Sequence, residues 1–239
     1  MTQTVQNNYK LSIRFTPDGF YLSVYEDNLK LTTKKVEAEF SQLAENQIID
    51  LLEKQPELQN SYKSVRLIYQ TRIYTYVPVA FFNETEITDV LKFQHRDLNG
   101  NEKVVYNRLE PWEAVSVFSV PGNLESVLKR FLPEIEIEHH LSALMKDHVM
   151  MRNGKSLYAM IRNNEVDIIV LHDNKLLLLN TYEFESLDDI VYHILNVTVL
   201  LKLGTDECQL MLLGNGNLMA AKELMTKYFQ TCNSTELFY

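Results

Sequence analysis

Residues 9–69 and 157–214 spell out the same order of patterns: three short strand-like runs joined by tight turns, an amphipathic helix, and a further apolar strand. Tandem copies of a β-β-β-α-β unit of this size predict two similar bodies, each long enough to bury its own core. A solenoid is a poor fit, because its periods are about 20–50 residues and it needs about three or more copies.

In the first copy Leu11, Ile13 and Phe15 alternate with polar neighbours, as a half-buried strand requires. Pro17-Asp18-Gly19 turns into a second strand at 20–25, and Asp27-Asn28 turns into a third at 29–36. Phe40, Leu43, Ala44, Ile48, Leu51 and Leu52 recur at helical spacing until Pro56 stops the pattern, and 65–69 reads as the fourth strand. In the second copy the strands are 157–161, 166–171 and 175–182, with turns at Asn163-Asn164 and Asp173-Asn174. Ser186 and Asp189 form a capping pair for a helix carrying Leu187, Ile190, Val191, Ile194, Leu195 and Leu201. A strand at 209–213 follows, and Gly214-Asn215-Gly216-Asn217 leads into a last helix. Asp173 and Asn174 lie 146 positions beyond Asp27 and Asn28, whereas Ile161 lies 148 beyond Ile13. That difference predicts a first hairpin turn two residues shorter in the second copy.

The middle of the chain predicts a strand at 73–77, a helix capped by Asn83 and Glu86, strands at 103–109 and 113–120, a helix at 123–132, a short strand at 134–138 and a helix at 139–150. The expected organisation is a first lobe, 1–150, with an inserted segment at about 73–110, and a smaller second lobe, 151–239, with a hinge at 150–154.

The net charge of −9 argues against a phosphate-tracking nucleic-acid binder, which needs a basic footprint. No apolar run approaches the roughly 18 residues that span a bilayer, and 1–9 lacks the apolar stretch of a secretory signal. Cys208 and Cys232 are too few for a disulfide framework, so the expected setting is the cytoplasm, with both thiols reduced.

The run Val115-Ser-Val-Phe-Ser-Val-Pro121, a helix through Phe131-Leu132, Glu134-Ile-Glu-Ile-Glu138, then Tyr158-Ala-Met-Ile161 and Asp167-Ile-Ile-Val170 resembles the actin-like proteins of bacterial machines. Nearest in layout are the pilus-assembly M component, the cytoplasmic part of the type II secretion L component and the cell-division A protein. The whole chain also resembles a family of uncharacterised bacterial proteins with an actin-like ATPase fold. The resemblance implies an α/β fold of two ribonuclease H-like lobes, each built on a β-β-β-α-β unit.

In working members of that group the first hairpin of each lobe reads hydrophobic-Asp-x-Gly, the Asp holding magnesium through water and the Gly letting the backbone approach phosphate. Carried over by position, Arg14-Phe15-Thr16 and Arg162-Asn163-Asn164 stand there, with both aspartates and both glycines lost. The resemblance thus assigns Arg14, Thr16, Arg162 and Asn164 to the cleft between lobes, and Gly214, Asn215 and Gly216 to the adenosine corner. An arginine can bind phosphate bidentately, or can serve as a salt-bridge residue. Likewise a Gly-x-Gly turn after a strand is also an ordinary strand-to-helix connection.

Other constellations carry less chemistry. His139, His140 and His148 with Glu136 or Glu138 could be arranged as a metal site, but adjacent histidines on a strand end point to opposite faces, and no metal is expected. No Gly-x-Ser-x-Gly or His-Glu-x-x-His occurs, so serine-hydrolase and zincin chemistry lack support. Tyr74, Tyr76, Phe81, Phe82 and Phe93 concentrate aromatics in the middle segment, as core or, if exposed together, as a protein-binding patch. The sequence therefore predicts a non-catalytic actin-like protein that binds another protein or itself, with no cofactor, no catalytic residue and no membrane insertion. The rival is an ATP-binding protein or ATPase with altered phosphate loops.

Overall fold

The computed structural model describes residues 8–27, 29–40, 43–96, 98, 100–132, 135–149, 153–214 and 218–237 of the 239. The chain divides into two compact units, one running to Lys146 and one beginning at Asp147.

The first unit opens with β1 (Tyr9–Thr16), β2 (Gly19–Glu26) and β3 (Leu29–Glu37), followed by α1 (Glu45–Glu53) and β4 (Ser64–Tyr69). An inserted segment carries β5 (Tyr74–Pro78), α2 (Ile87–Gln94), β6 (Glu102–Leu109) and β7 (Ala114–Pro121). The unit closes with α3 (Gly122–Phe131), β8 (Ile137–His139) and α4 (His140–His148), the last two residues of α4 counting with the second unit. Its main sheet has the order β3-β2-β1-β4-β8, and the insertion forms a separate antiparallel sheet, β5-β7-β6. Side chains alternate across a strand, so Leu11, Ile13, Phe15, Phe20 and Leu22 fall on one face, where Ile48 and Leu52 of α1 and Leu124, Val127 and Leu128 of α3 cover them. Phe40 lies before α1 rather than in it, packed at 5.0 Å on Phe15 and 5.7 Å on Phe20. Asn107 ties the insertion to the main sheet: its amide donates to the Ile137 carbonyl at 2.9 Å, and its Oδ1 accepts from the His139 N–H at 2.7 Å.

The second unit comprises β9 (Lys155–Arg162), β10 (Glu165–His172), β11 (Lys175–Glu183), α5 (Leu187–Leu200), β12 (Cys208–Gly214), α6 (Leu218–Met225) and β13 (Thr231–Glu236). The sheet order is β11-β10-β9-β12-β13. Leu157, Ala159, Ile161, Val166, Ile168 and Val170 pack against Ile190, Ile194 and Val197 of α5 and Ala221 and Met225 of α6. The expected cap of α5 is present: Ser186 Oγ accepts from the Asp189 N–H at 3.3 Å, and Asp189 Oδ2 accepts from the Ser186 N–H at 2.8 Å.

The two main sheets are copies in topology and in register. Thr16 pairs with Gly19, and Arg162 pairs with Glu165, so Pro17-Asp18 and Asn163-Asn164 are turns of equal length. A register shift falls between Val24 and Tyr25 in one sheet and between Val170 and Leu171 in the other, opposite the skipped residues Leu31 and Leu177. One offset of 146 therefore carries all three strands, and the expected two-residue shortening is absent. The pairing of Ile13 with Ile161 misled because apolar positions in a strand repeat every second residue, so a slip of two preserves the pattern. The counterpart of Ile13 is Ala159.

Two further differences have physical causes. β13 carries the polar run Thr231-Cys-Asn-Ser-Thr-Glu236, and it forms by pairing in parallel with β12 rather than by burying an apolar face of its own. The expected strand at 134–138 contracts to Ile137–His139, with α4 starting at His140. Of the expected hinge, Met150, Met151 and Arg152 lie outside the described residues.

Candidate functional site

Arg162 ends β9 and Glu165 begins β10, so the two-residue turn sets them opposite each other; Asp167, two further along β10, falls on the same face. Arg162 donates from Nε to Asp167 Oδ2 at 2.7 Å and from Nη2 to Asp167 Oδ1 at 2.8 Å. Its Nη1 meets Glu165 Oε2 at 2.5 Å. Thr181, opposite Asp167 on β11, donates its hydroxyl to Oδ1 at 2.7 Å. All three charged residues are buried, Asp167 completely. Burial works against the Arg162 charge, but Asp167 and then Glu165 more than offset it and raise its pKa above the ordinary arginine value.

The corresponding hairpin of the first unit is closed in another way. Thr16 donates its hydroxyl to Asp18 Oδ1 at 2.8 Å and to the Gly19 carbonyl at 3.1 Å, and Lys35 Nζ meets Asp18 Oδ2 at 2.8 Å. The Lys35 contact, with help from Thr16, holds the Asp18 carboxyl below its usual range. Arg14 is buried in β1 between Tyr21 and Ile68.

With the offset of 146, the residue opposite in role to Arg14 is Met160, and the counterpart of Arg162 is Thr16. The carry-over that set Arg14 and Arg162 side by side as twin aspartate replacements is thus corrected. In this register Arg14-Phe15-Thr16 corresponds to Met160-Ile161-Arg162, and neither triplet contains an aspartate or a glycine.

Gly214 has a backbone reason to be glycine. Its φ is +129°, and a Cβ there would lie 2.1 Å from the Ile161 carbonyl oxygen on the paired strand. Asn164 is exposed in its turn, its carbonyl accepting from the Phe184 N–H at 3.0 Å. Asn215 and Gly216 lie outside the described residues. The structure therefore brings Gly214 beside Ile161, next in chain to Arg162, and joins Arg162 to Glu165 and Asp167, a pair that sequence reasoning did not place in the site. The available signal was Asp167 itself: an ionisable residue inside the apolar run Val166-Asp-Ile-Ile-Val-Leu171 needs a buried partner.

Two surface depressions of the first unit are acidic. One is lined by Asp18, Glu37 and Glu39 against Lys35, the other by Glu45 and Glu102, Glu45 being paired with Arg130. His139 and His140 meet ring to ring at 4.4 Å instead of pointing to opposite faces, and His139 packs on Tyr74 and Phe118 at 4.7 and 5.0 Å. Among the described residues no three His, Cys, Asp or Glu side chains are grouped to hold a metal. In the insertion Tyr74 is buried, whereas Phe81 and Phe93 are exposed.

Residues 1–232 match the model of a family described as a protein of unknown function, DUF3822. The chain belongs to the DUF3822 family. No curated protein matches it. Among solved structures, this DUF3822 chain is similar to a Bacteroides thetaiotaomicron protein with actin-like ATPase fold and unknown function: 24% identity, TM-score 0.81, covering 98% of this chain and 94% of that one. It is also similar to the PilM-PilN type IV pilus biogenesis complex, at 9% identity and TM-score 0.55, covering 97% of this chain and 88% of that one. The DUF3822 chain has an actin-like ATPase fold, and no helix among its described residues is long and apolar enough to cross a membrane.

Proposed function

We propose that this chain uses an actin-like frame without phosphoryl transfer, as a protein-binding or assembly element. The observation that carries the reading is the engagement of Arg162 by Asp167 and Glu165 inside one unit. A phosphate entering there has to displace Asp167 from its two hydrogen bonds to the guanidinium and Glu165 from its ion pair with Nη1, both carboxylates being buried. Nor does Asp167 stand open as a magnesium ligand: it is fully buried and both of its oxygens accept hydrogen bonds. Metal-assisted phosphoryl transfer depends on such open oxygen ligands and on close backbone approach to the phosphates.

A protein partner is supported by analogy with PilM, which stands in a complex with PilN. The two free thiols fit a reducing compartment, and we place the protein in the cytoplasm. Thermal unfolding with and without ATP and magnesium tests the reading. A ligand present at about 100 times its Kd stabilises the folded state by about 2.7 kcal/mol. Unchanged unfolding is expected, and a rise of several degrees contradicts the proposal and favours an ATP-binding protein with altered loops.

A further inference from the structure

β3 is the outer strand of the first unit's main sheet, and among the described residues it pairs with β2 alone. It is nine residues long and exposed or half-exposed throughout. Leu29 is 67% exposed and Leu31, skipped by the register, is 43% exposed. A long edge with exposed leucines offers outward N–H and C=O groups to any incoming strand, which proteins ordinarily prevent. The same strand carries Lys30, Lys34 and Lys35. Those lysines repel a second β3 laid against it, so they select among incoming strands by charge. By charge a copy of this edge is disfavoured, and an incoming acidic strand is matched at the lysines and opposed only at the Glu37 end.

We propose that β3 receives an extended segment of a partner protein in which acidic side chains alternate with apolar ones, added to the sheet as a further strand. The inference rests on reading the chain as a protein binder. The register sets the spacing of the acidic residues. Lys30 lies opposite Tyr25 and Lys35 opposite Tyr21, four positions apart on β2, and each lysine Nζ stands 6.0 Å from its tyrosine ring centroid. Two carboxylates four residues apart on one face of the incoming strand would meet both cations. Burial lowers the Lys30 pKa, and the Arg14 charge lowers it further. Lys34 and Lys35 contact Glu57, Asp18 and Glu37 through exposed pairs of 3.6, 2.8 and 3.5 Å, which hold little free energy and exchange readily. The matching edge of the second unit, β11, has leucines at 176–179 and no cation after Lys175, so the duplication did not carry this feature.

The test is fluorescence anisotropy of a labelled nine-residue peptide alternating Glu with Val, titrated with the full chain. Saturable binding is expected, weakened at least about tenfold by Lys30→Glu with Lys35→Glu, and lost when alternate peptide amides are methylated. The milder Lys30→Gln with Lys35→Gln pair, checked by circular dichroism, should show the same direction in a folded protein. Absence of binding, equal binding of the methylated peptide, or displacement by a single-stranded RNA of equal charge overturns the proposal. So does a concentration-dependent dimer that the lysine variants leave intact and that excludes the peptide. A chain that binds ATP and also takes the peptide contradicts the non-catalytic reading and leaves this site standing; a chain that binds neither overturns this site alone.

Discussion

Arg162 and Asp167 face each other across the β9–β10 hairpin in a fork of two parallel hydrogen bonds, 2.7 and 2.8 Å long, with both side chains buried. Bidentate geometry of this kind is the strong form of an ion pair, yet the desolvation of both charges offsets much of its worth. The asymmetry is testable. Arg162→Met removes the shared partner of the buried Asp167 and Glu165 carboxylates and should cost the second unit about 3–5 kcal/mol, while Arg162→Met with Asp167→Leu and Glu165→Gln should recover most of the loss. Hydrogen exchange of the β10 amides in increasing urea measures both. A single variant as stable as the parent contradicts the account.

Gly214 and Ile161 make a similar argument at the backbone. With φ at +129° and the Ile161 oxygen where a Cβ would sit, Gly214→Ala should destabilise the second unit by at least about 2 kcal/mol. Gly100→Ala, where the added carbon meets nothing within 4 Å, should be close to neutral. Denaturant midpoints of the two variants compare them directly.

Glu138 supplies a pH dependence. Burial opposes its ionisation, but Arg66 at 2.6 Å and Lys146 at 2.7 Å outweigh that and hold its carboxyl below the usual range. The folded pKa is depressed, so the unfolded chain takes up the proton first as pH falls. The contribution is therefore complete above the ordinary glutamate value of about 4.3 and is lost as pH falls through the lower folded value. Glu138→Gln should flatten the acid limb of first-unit stability, followed by the fluorescence of buried Trp112. An unchanged acid limb would remove Glu138 from the explanation.

Burial pushes the Cys208 thiol up to about 11, and it also raises that of Cys232. Because the thiolate is the reactive form, Cys208 should resist a thiol reagent at pH 8 in the native protein and react once unfolded. Fast native modification of Cys208, located by peptide mass, would show that β12 opens far more readily than its packing implies.

The fold was legible where sequence pattern and burial coincide. The Ser186–Asp189 cap, the turns at Asp27 and Asp173, and the three-strand meanders all declared themselves, because local chemistry fixes turns and caps. β13 did not, since a polar edge strand owes its existence to a neighbour and not to its own alternation. Register was the weak link: apolar steps of two are interchangeable in a strand, so Arg162 was matched to Arg14 when hydrogen-bonded pairing matches it to Thr16. The absence of both Asp-x-Gly motifs survives that correction. The partner of Arg162 was hidden because residues five apart in sequence meet only once the hairpin closes.

The proposal that this actin-like chain takes no nucleotide at its hairpins is tested by titration calorimetry of the full chain with ATP and magnesium. No saturable heat is expected up to millimolar nucleotide. Micromolar binding that is abolished by Arg162→Met, in a variant whose circular dichroism still shows a folded chain, would contradict it.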